Sequence, residues 1–157
     1  MSQTKNPFLT FRNIETDKMI GINIHNITSY KEGEGETQKP YVLVLCVDDR
    51  YGRKIDIAFK DFEALLREWY GKKCVDIREA KFVRPNAPGR AGATYAAEGE
   101  SVVTISLDSI VSIHSEKIEY SHHRYCTVTM SNGFRYKITE DTADEIRLHL
   151  KPVQLKS

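Results

Sequence analysis

The sequence predicts an α+β protein, mostly antiparallel β, made by internal duplication of a unit of about five strands followed by one helix. Three observations lead there. Short runs of alternating apolar and polar residues recur along the chain, bounded by turn residues. Two helical apolar stripes occur, one ending near residue 70 and one near residue 150. Finally, two pairs of segments align. "MIGINIHNITSYKE" falls on "VVTISLDSIVSIHSE" with an offset of 83, placing Ile22, Ile24, Ile27 and Tyr30 on Ile105, Leu107, Ile110 and Ile113. "GRKIDIAFKDFEALLREW" falls on "GFRYKITEDTADEIRLHL" with an offset of 81, placing Gly52, Ile57, Leu65 and Trp69 on Gly133, Ile138, Ile146 and Leu150.

The first unit, residues 1–72, opens with a strand in "FLTFRNI" (8–14). A turn at "ETDK" leads into "MIGINI" (19–24), whose residues alternate. After a short break at "HN", "ITSY" is a third strand, and the loop "KEGEGETQKP" precedes a fourth, "YVLVLCV" (41–47). That run does not alternate, so both of its faces are expected to be buried, either under the insertion of the second unit or at the contact between the units or in a dimer. The turn "DDRYG" leads to a fifth strand, "RKIDIAF", with Ile55, Ile57 and Phe59 on one side. A helix over "KDFEALLREWYG" closes the unit, with Phe62, Leu65, Leu66 and Trp69 as its apolar stripe and Gly71 as its stop.

The second unit, residues 73–157, repeats the order. "CVDIREAKFV" (74–83) and "VVTISL" are its first strands, separated by a flexible insertion at about 84–100 that is rich in Pro, Gly and Ala. "CTVTM" and "FRYKI" flank the turn "SNG", and "EDTADEIRLHL" is the helix, ended by Pro152, with Ala143, Ile146 and Leu150 inward. The two units are expected to pack as one compact body.

With 40% hydrophobic residues the chain can fill a core, and a net charge of +1 gives no global pull toward nucleic acid or membrane. No run resembles a signal peptide or a membrane span. Cys46, Cys74 and Cys126 are odd in number and form no CxxC pair, so reduced, buried thiols in a cytoplasmic protein are expected. The sequon at Asn26 then has no role.

The pattern "SVVTISLDSIVSI … YCTVTMSNGFRYKITEDTADEIRLHL" resembles the small FlbD/SwrD-like flagellar proteins of bacteria. The resemblance covers residues 101–150 well and the first unit more loosely, where "DDRYG" replaces the "NG" turn. It implies a small antiparallel module without catalytic machinery; separately, small tandem modules of this kind suit accessory factors of bacteria or phages. In topology, "RKIDIAFKDFEALLREWY" is also similar to the end of the ββββα repeats in PC4-like and Pur-alpha-like proteins, which implies single-stranded nucleic-acid binding on an exposed sheet face.

No HExxH, GxSxG, Walker or dinucleotide pattern is present, so no catalytic residue, metal or cofactor is expected, and an enzyme of unrecognised type ranks third. The glycine-rich "EGEGE" (32–36) lacks calcium-loop spacing, and Asp48 and Asp49 read as turn residues. His122 and His123 in "YSHHRY" fall short of a zinc ligand set and read as a hairpin tip suited to recognition. Between residues 50 and 90, eleven Lys or Arg stand against six Asp or Glu, which singles out a modest basic surface. The candidate binding surface therefore comprises Tyr51, Arg53, Lys54, Arg84, Arg90, Tyr95, His122, His123, Arg124 and Arg135, with Tyr125 available for stacking. The leading expectation is a non-enzymatic adaptor that recognises another protein through the 31–40, 84–100 and 120–124 loops. The alternative is a single-stranded nucleic-acid binder, and a homodimer is compatible with either.

Overall fold

A computed structural model describes residues 6–33, 40–87 and 90–150. In chain order it contains β1 (Phe8–Asn13), β2 (Lys18–Asn23), β3 (Ile27–Glu32), β4 (Val42–Cys46), β5 (Asp49–Ile55) and α1 (Phe59–Ala64). Then come β6 (Cys74–Val83), the two-residue strands β7 (Asn86–Ala87) and β8 (Arg90–Ala91), and β9 (Tyr95–Ser106). β10 (Ile110–Lys117), β11 (Arg124–Met130), β12 (Arg135–Ile138) and α2 (Glu140–Leu148) complete the chain. The architecture is mostly antiparallel β with two helices. Among the described residues no helix is long and apolar enough to cross a membrane.

The principal sheet runs β2-β1-β5-β4-β3-β9-β6, and β10-β11-β12 form a second sheet. Within the first, β2 and β3 lie four strand spacings apart, roughly 19 Å if the sheet were flat. Only the 3₁₀ turn Ile24–Asn26 joins them, and even an extended chain from Asn23 to Ile27 would reach only about 14 Å. The five strands must therefore curl. Hydrogen bonds pin the turn on both sides, with Ile24 N–H donating to Pro7 C=O (2.8 Å) and Val47 N–H donating to Asn26 C=O (2.9 Å). Inside the curl lie Phe11, Ile22, Ile24, Ile27, Tyr30, Val42, Val44 and Ile55. Phe62 and Leu66 cover them, the Phe62 ring meeting Phe11 at 5.8 Å and Tyr30 at 5.1 Å, both edge-on.

The second half follows a similar path. The β6–β9 hairpin leads through a 3₁₀ turn, Leu107–Ser109, into β10, β11 and β12. Leu107 N–H donates to Lys73 C=O (3.1 Å), and Ser131 N–H donates to Ser109 C=O (2.8 Å). Ile77, Val103, Ile105, Cys126, Val128, Met130, Tyr136 and Ile138 form its core with Ala143 and Ile146 of α2. Thr139 caps α2 by accepting from Thr142 N–H (3.2 Å), and Glu140 and Asp141 occupy the positive end of the helix dipole. Details recur at matching positions. The ladder shifts between Ile27 and Ser29 and again between Ile110 and Ser112, while Gly52 (φ +87°) and Gly133 (φ +84°) both adopt left-handed backbone.

β3 and β9 join the halves, pairing Ser29 with Ile105 and Tyr30 with Thr104. Side chains add a second seam. Ser29 Oγ and Tyr136 Oη lie 2.7 Å apart in the interior, and Asn132 Nδ2 donates to Thr28 Oγ1 (3.2 Å) and to Asp49 C=O (3.1 Å). This accounts for the unbroken apolar run of β4. Val42 and Val44 enter the first core, whereas Leu43 and Leu45 border a small cavity shared with Val103, Phe134 and Tyr136 from the second half.

Four expectations require correction, the first being Leu150, which lies past the end of α2 and is 36% exposed rather than inward. The fifth strand is Asp49–Ile55, not 53–59. The turn is the pair Val47 and Asp48, and Phe59 already begins α1. The first helix continues as a π-helical turn, Leu65–Trp69, with Tyr70 N–H donating to Leu65 C=O (3.2 Å). The wider turn rotates Trp69 off the row of Phe62 and Leu66, leaving it 61% exposed. The 84–100 insertion is shorter than expected, because β6 and β9 stay paired out to Val83 and Tyr95 across a bulge, and the β7–β8 ladder lies in what remains. Of the first-unit loop, residues 34–39 lie outside the described residues, as does Pro152.

Candidate functional site

Each half presents a hairpin tip, and the two tips meet. At the first, Asp49 Oδ1 accepts hydrogen bonds from the Tyr51 (2.9 Å) and Gly52 (3.2 Å) backbones, and the second carboxylate oxygen lies 3.5 Å from Arg53 Nε. This is the side-chain-to-backbone bonding that lets Asp replace a backbone turn. At the second tip, Asn132 Oδ1 accepts from Phe134 N–H (2.9 Å), while its amide nitrogen reaches Asp49 C=O. Asn132 thus shapes its own turn and ties it to the start of β5 at Asp49.

The consequence is an open cleft of about 440 Å³ lined by Arg50, Tyr51, Gly133, Phe134 and Arg135. Tyr51 is 91% exposed, and Phe134 stacks at a tilt on Tyr136 (4.7 Å), which the Ser29 hydroxyl holds from behind. Two aromatic rings and two guanidinium groups on a rigid base are the residue types that dominate protein recognition. Of these, Tyr51 and Arg135 are expected site residues, whereas Arg50 and Phe134 are additions from the structure. Their one signal in the sequence was nearness to Gly52 and Gly133, Phe134 directly after Gly133 and Arg50 two residues before Gly52.

Tyr95, His122, His123 and Arg124 come together elsewhere, with Thr139, Glu140 and Asp141, around a second cleft of about 380 Å³. The imidazoles of His122 and His123 sit 4.2 Å apart, and Tyr95 meets His123 edge-on at 6.1 Å. Ser121 organises this tip, donating to Thr94 C=O (2.7 Å) and accepting from His123 N–H (3.0 Å). Tyr120 adopts φ +59° at its apex. Arg124 folds back onto its neighbour strand, donating through Nε to Ser115 Oγ (2.8 Å), so it serves the hairpin itself. The cleft mixes imidazoles with two carboxylates and has no single sign of charge.

The remaining residues are dispersed. Arg53 borders a separate pocket beside Phe8, Asn26 and Asp48. Lys54 lies 3.9 Å from Glu15 and over the Tyr41 ring (5.3 Å). Arg84 stands exposed after β6, and Arg90 lies on β8. The ten residues therefore form no continuous surface.

A third group lies on the outer sheet face of the second half. Phe82 and Tyr125 meet edge-on (5.1 Å), with Lys137 Nζ 5.6 and 5.8 Å from their ring centres. Glu116 lies among them. A hydrogen bond from Tyr125, then one from Thr127, then Arg135 and Lys137 hold its carboxyl below the usual carboxylate range.

Among the described residues no group of three or more His, Cys, Asp or Glu is arranged to hold a metal ion. Burial pushes all three thiols up, Cys46 to about 11, so none is a thiolate near neutral pH. The chain matches no family model, no curated protein and no solved structure.

Proposed function

We propose that the protein is a non-enzymatic binding module whose scaffold arose by duplication of a five-stranded unit with one helix, residues 1–72 and 73–157. The repeated order of strands and 3₁₀ turn, the matched ladder shifts and the paired left-handed glycines support the duplication. The reading is of an adaptor that grips a protein partner in the cleft between the sister tips. The observation behind it is the convergence of Arg50, Tyr51, Phe134 and Arg135 on one open cleft. Phe134, already packed on Tyr136, loses little entropy on binding, and the two arginines favour a segment carrying carboxylates.

The test is affinity capture with the intact chain, followed by titration of the purified partner against Tyr51→Ala and Phe134→Ala. Each anchor should weaken binding at least about tenfold, the scale of an interface hot spot. Unchanged affinity in both variants would place recognition elsewhere, with the 84–94 and 120–124 segments next to be replaced.

The second reading, single-stranded nucleic acid, is favoured by one observation, the Phe82–Tyr125 pair beneath Lys137. Glu116 on the same face weighs against it, since it repels a phosphate chain. Anisotropy with a labelled oligonucleotide at low salt decides: no binding there removes this reading.

A further inference from the structure

The way the two halves join leaves the same pair of edges unused at the ends of the molecule. β3, the last strand of the first curl, pairs through Ser29 and Tyr30 with Thr104 and Ile105 of β9. On the offset of 83 that aligns the halves, β10 is the counterpart of β3 and β2 is the counterpart of the second half of β9. Among the described residues β10 pairs with β11 alone and β2 with β1 alone, so each presents an open edge. Burial follows this division. The junction residues Thr28, Ser29, Tyr30, Thr104 and Ile105 are buried, whereas Val111 in the place of Thr28 is 65% exposed and Met19 in the place of Val102 is 63% exposed.

Edge strands are ordinarily protected by charge, proline or a covering element. Here the charged residues sit at the strand ends, at Lys18 on β2 and at Glu116 and Lys117 on β10. The central stretches, Met19–Ile22 and Ile110–Ile113, carry no charge at all. Both are counterparts of strands that the chain itself already pairs.

We propose that β10 of one copy pairs antiparallel with β2 of a second copy, repeating between molecules the junction that β3 and β9 make within one. This rests on the duplication proposed above, which supplies the correspondence of edges. Carrying the internal register across places Ser112 opposite Ile22 of the second copy, Ile113 opposite Gly21, and Ser115 opposite Met19. The contact is heterologous, so an open assembly always keeps one free β2 edge at one end and one free β10 edge at the other, and it grows head to tail until it closes.

Sedimentation velocity over a concentration series of the intact chain gives the first reading. The expected mass rises above the 18.0 kDa monomer in steps of one chain. Met19→Lys and Val111→Lys each alter an exposed side chain outside both cores, and each alone should hold the protein at monomer mass with the thermal transition of the dilute, monomeric wild type. Mixed together they should recover a dimer and nothing larger, because one variant retains an intact β10 and the other an intact β2. Ser115→Cys and Met19→Cys, mixed and oxidised, should cross-link as a heterodimer far faster than either variant alone.

A wild-type chain that stays monomeric at every concentration overturns the proposal. So does a Met19→Lys variant that still dimerises by itself, since that requires β10 to pair with β10. Neither result bears on partner binding by Tyr51 and Phe134, which belong to neither edge strand.

Discussion

Removing one oxygen atom tests how the halves are held together. Tyr136→Phe deletes the hydroxyl that meets Ser29 Oγ at 2.7 Å, in a place where Tyr136 is 4% and Ser29 1% exposed. The ring still fills its space, so no cavity term enters. What remains is a buried serine hydroxyl without its partner, which costs about 1–3 kcal/mol. Ser29→Ala leaves the phenol equally stranded and should cost about the same. The double variant removes both polar groups together, and its loss should fall short of the sum by about 1–2 kcal/mol. Urea unfolding followed by circular dichroism measures all four corners of the cycle. The single tryptophan, Trp69, lies in the first half, so its fluorescence supplies an independent probe of that half. Coincident transitions are expected, because one sheet runs through both halves. If the single costs added within about 0.5 kcal/mol, the two hydroxyls would be independent and this account of the seam would fail.

Two further predictions follow from other residues. Burial raises the Tyr30 and Tyr136 phenols to about 12 from the ordinary 10.0. At Tyr30 burial outweighs the opposing pull of the nearby Arg67 guanidinium, with which the phenol makes no well-formed hydrogen bond. With the folded pKa above the unfolded one, the stabilisation is complete below pH 10 and is lost as pH rises from 10 to 12. Each two-unit gap corresponds to roughly 2–3 kcal/mol. Melting temperatures should hold through mildly alkaline pH and fall steeply above about pH 10, less so in Tyr136→Phe; a flat profile would contradict the burial of these phenols. The two left-handed glycines, Gly52 and Gly133, should differ under substitution. At Gly133 a Cβ meets only the Arg50 side chain at 3.6 Å, so Gly133→Ala should cost only the backbone strain of about 1–2 kcal/mol. At Gly52 a Cβ would also come within 2.7 Å of Leu43 Cδ1, so Gly52→Ala should be the more destabilising of the two in the same urea assay.

The local code was legible where a residue's neighbours in sequence are also its neighbours in space. Alternation located the strands, as in "CVDIREAKFV", which is β6 residue for residue. The start of α2 at Glu140 fell where "EDTADEIRLHL" placed it, and the stop at Gly71 (φ +63°) followed from capping chemistry. The first helix misled, because a π-helical turn breaks the 3.6-residue period that the row from Phe62 to Trp69 assumes. The insertion misled for another reason. "TYAAEGE" has small residues and a glycine, which read as loop, yet the partner strand 74–83 is long enough to carry it as a ladder.

The candidate site was less legible than the fold. Ten residues chosen for charge and aromaticity fell into separate places, and the cleft that unites two of them also needs Arg50 and Phe134. Composition gives no measure of which turns will touch. The sequence by itself determined a β-rich chain with two helices, an interior made by alternation, and a recurring pattern of apolar positions and turn glycines. The tertiary structure alone decided that β3 pairs with β9, that Asn132 ties one hairpin tip to the other, and that β2 and β10 are open among the described residues. The physical reason is that strand order within a sheet depends on pairing between segments far apart in the chain, and no local pattern of side chains specifies which edges meet.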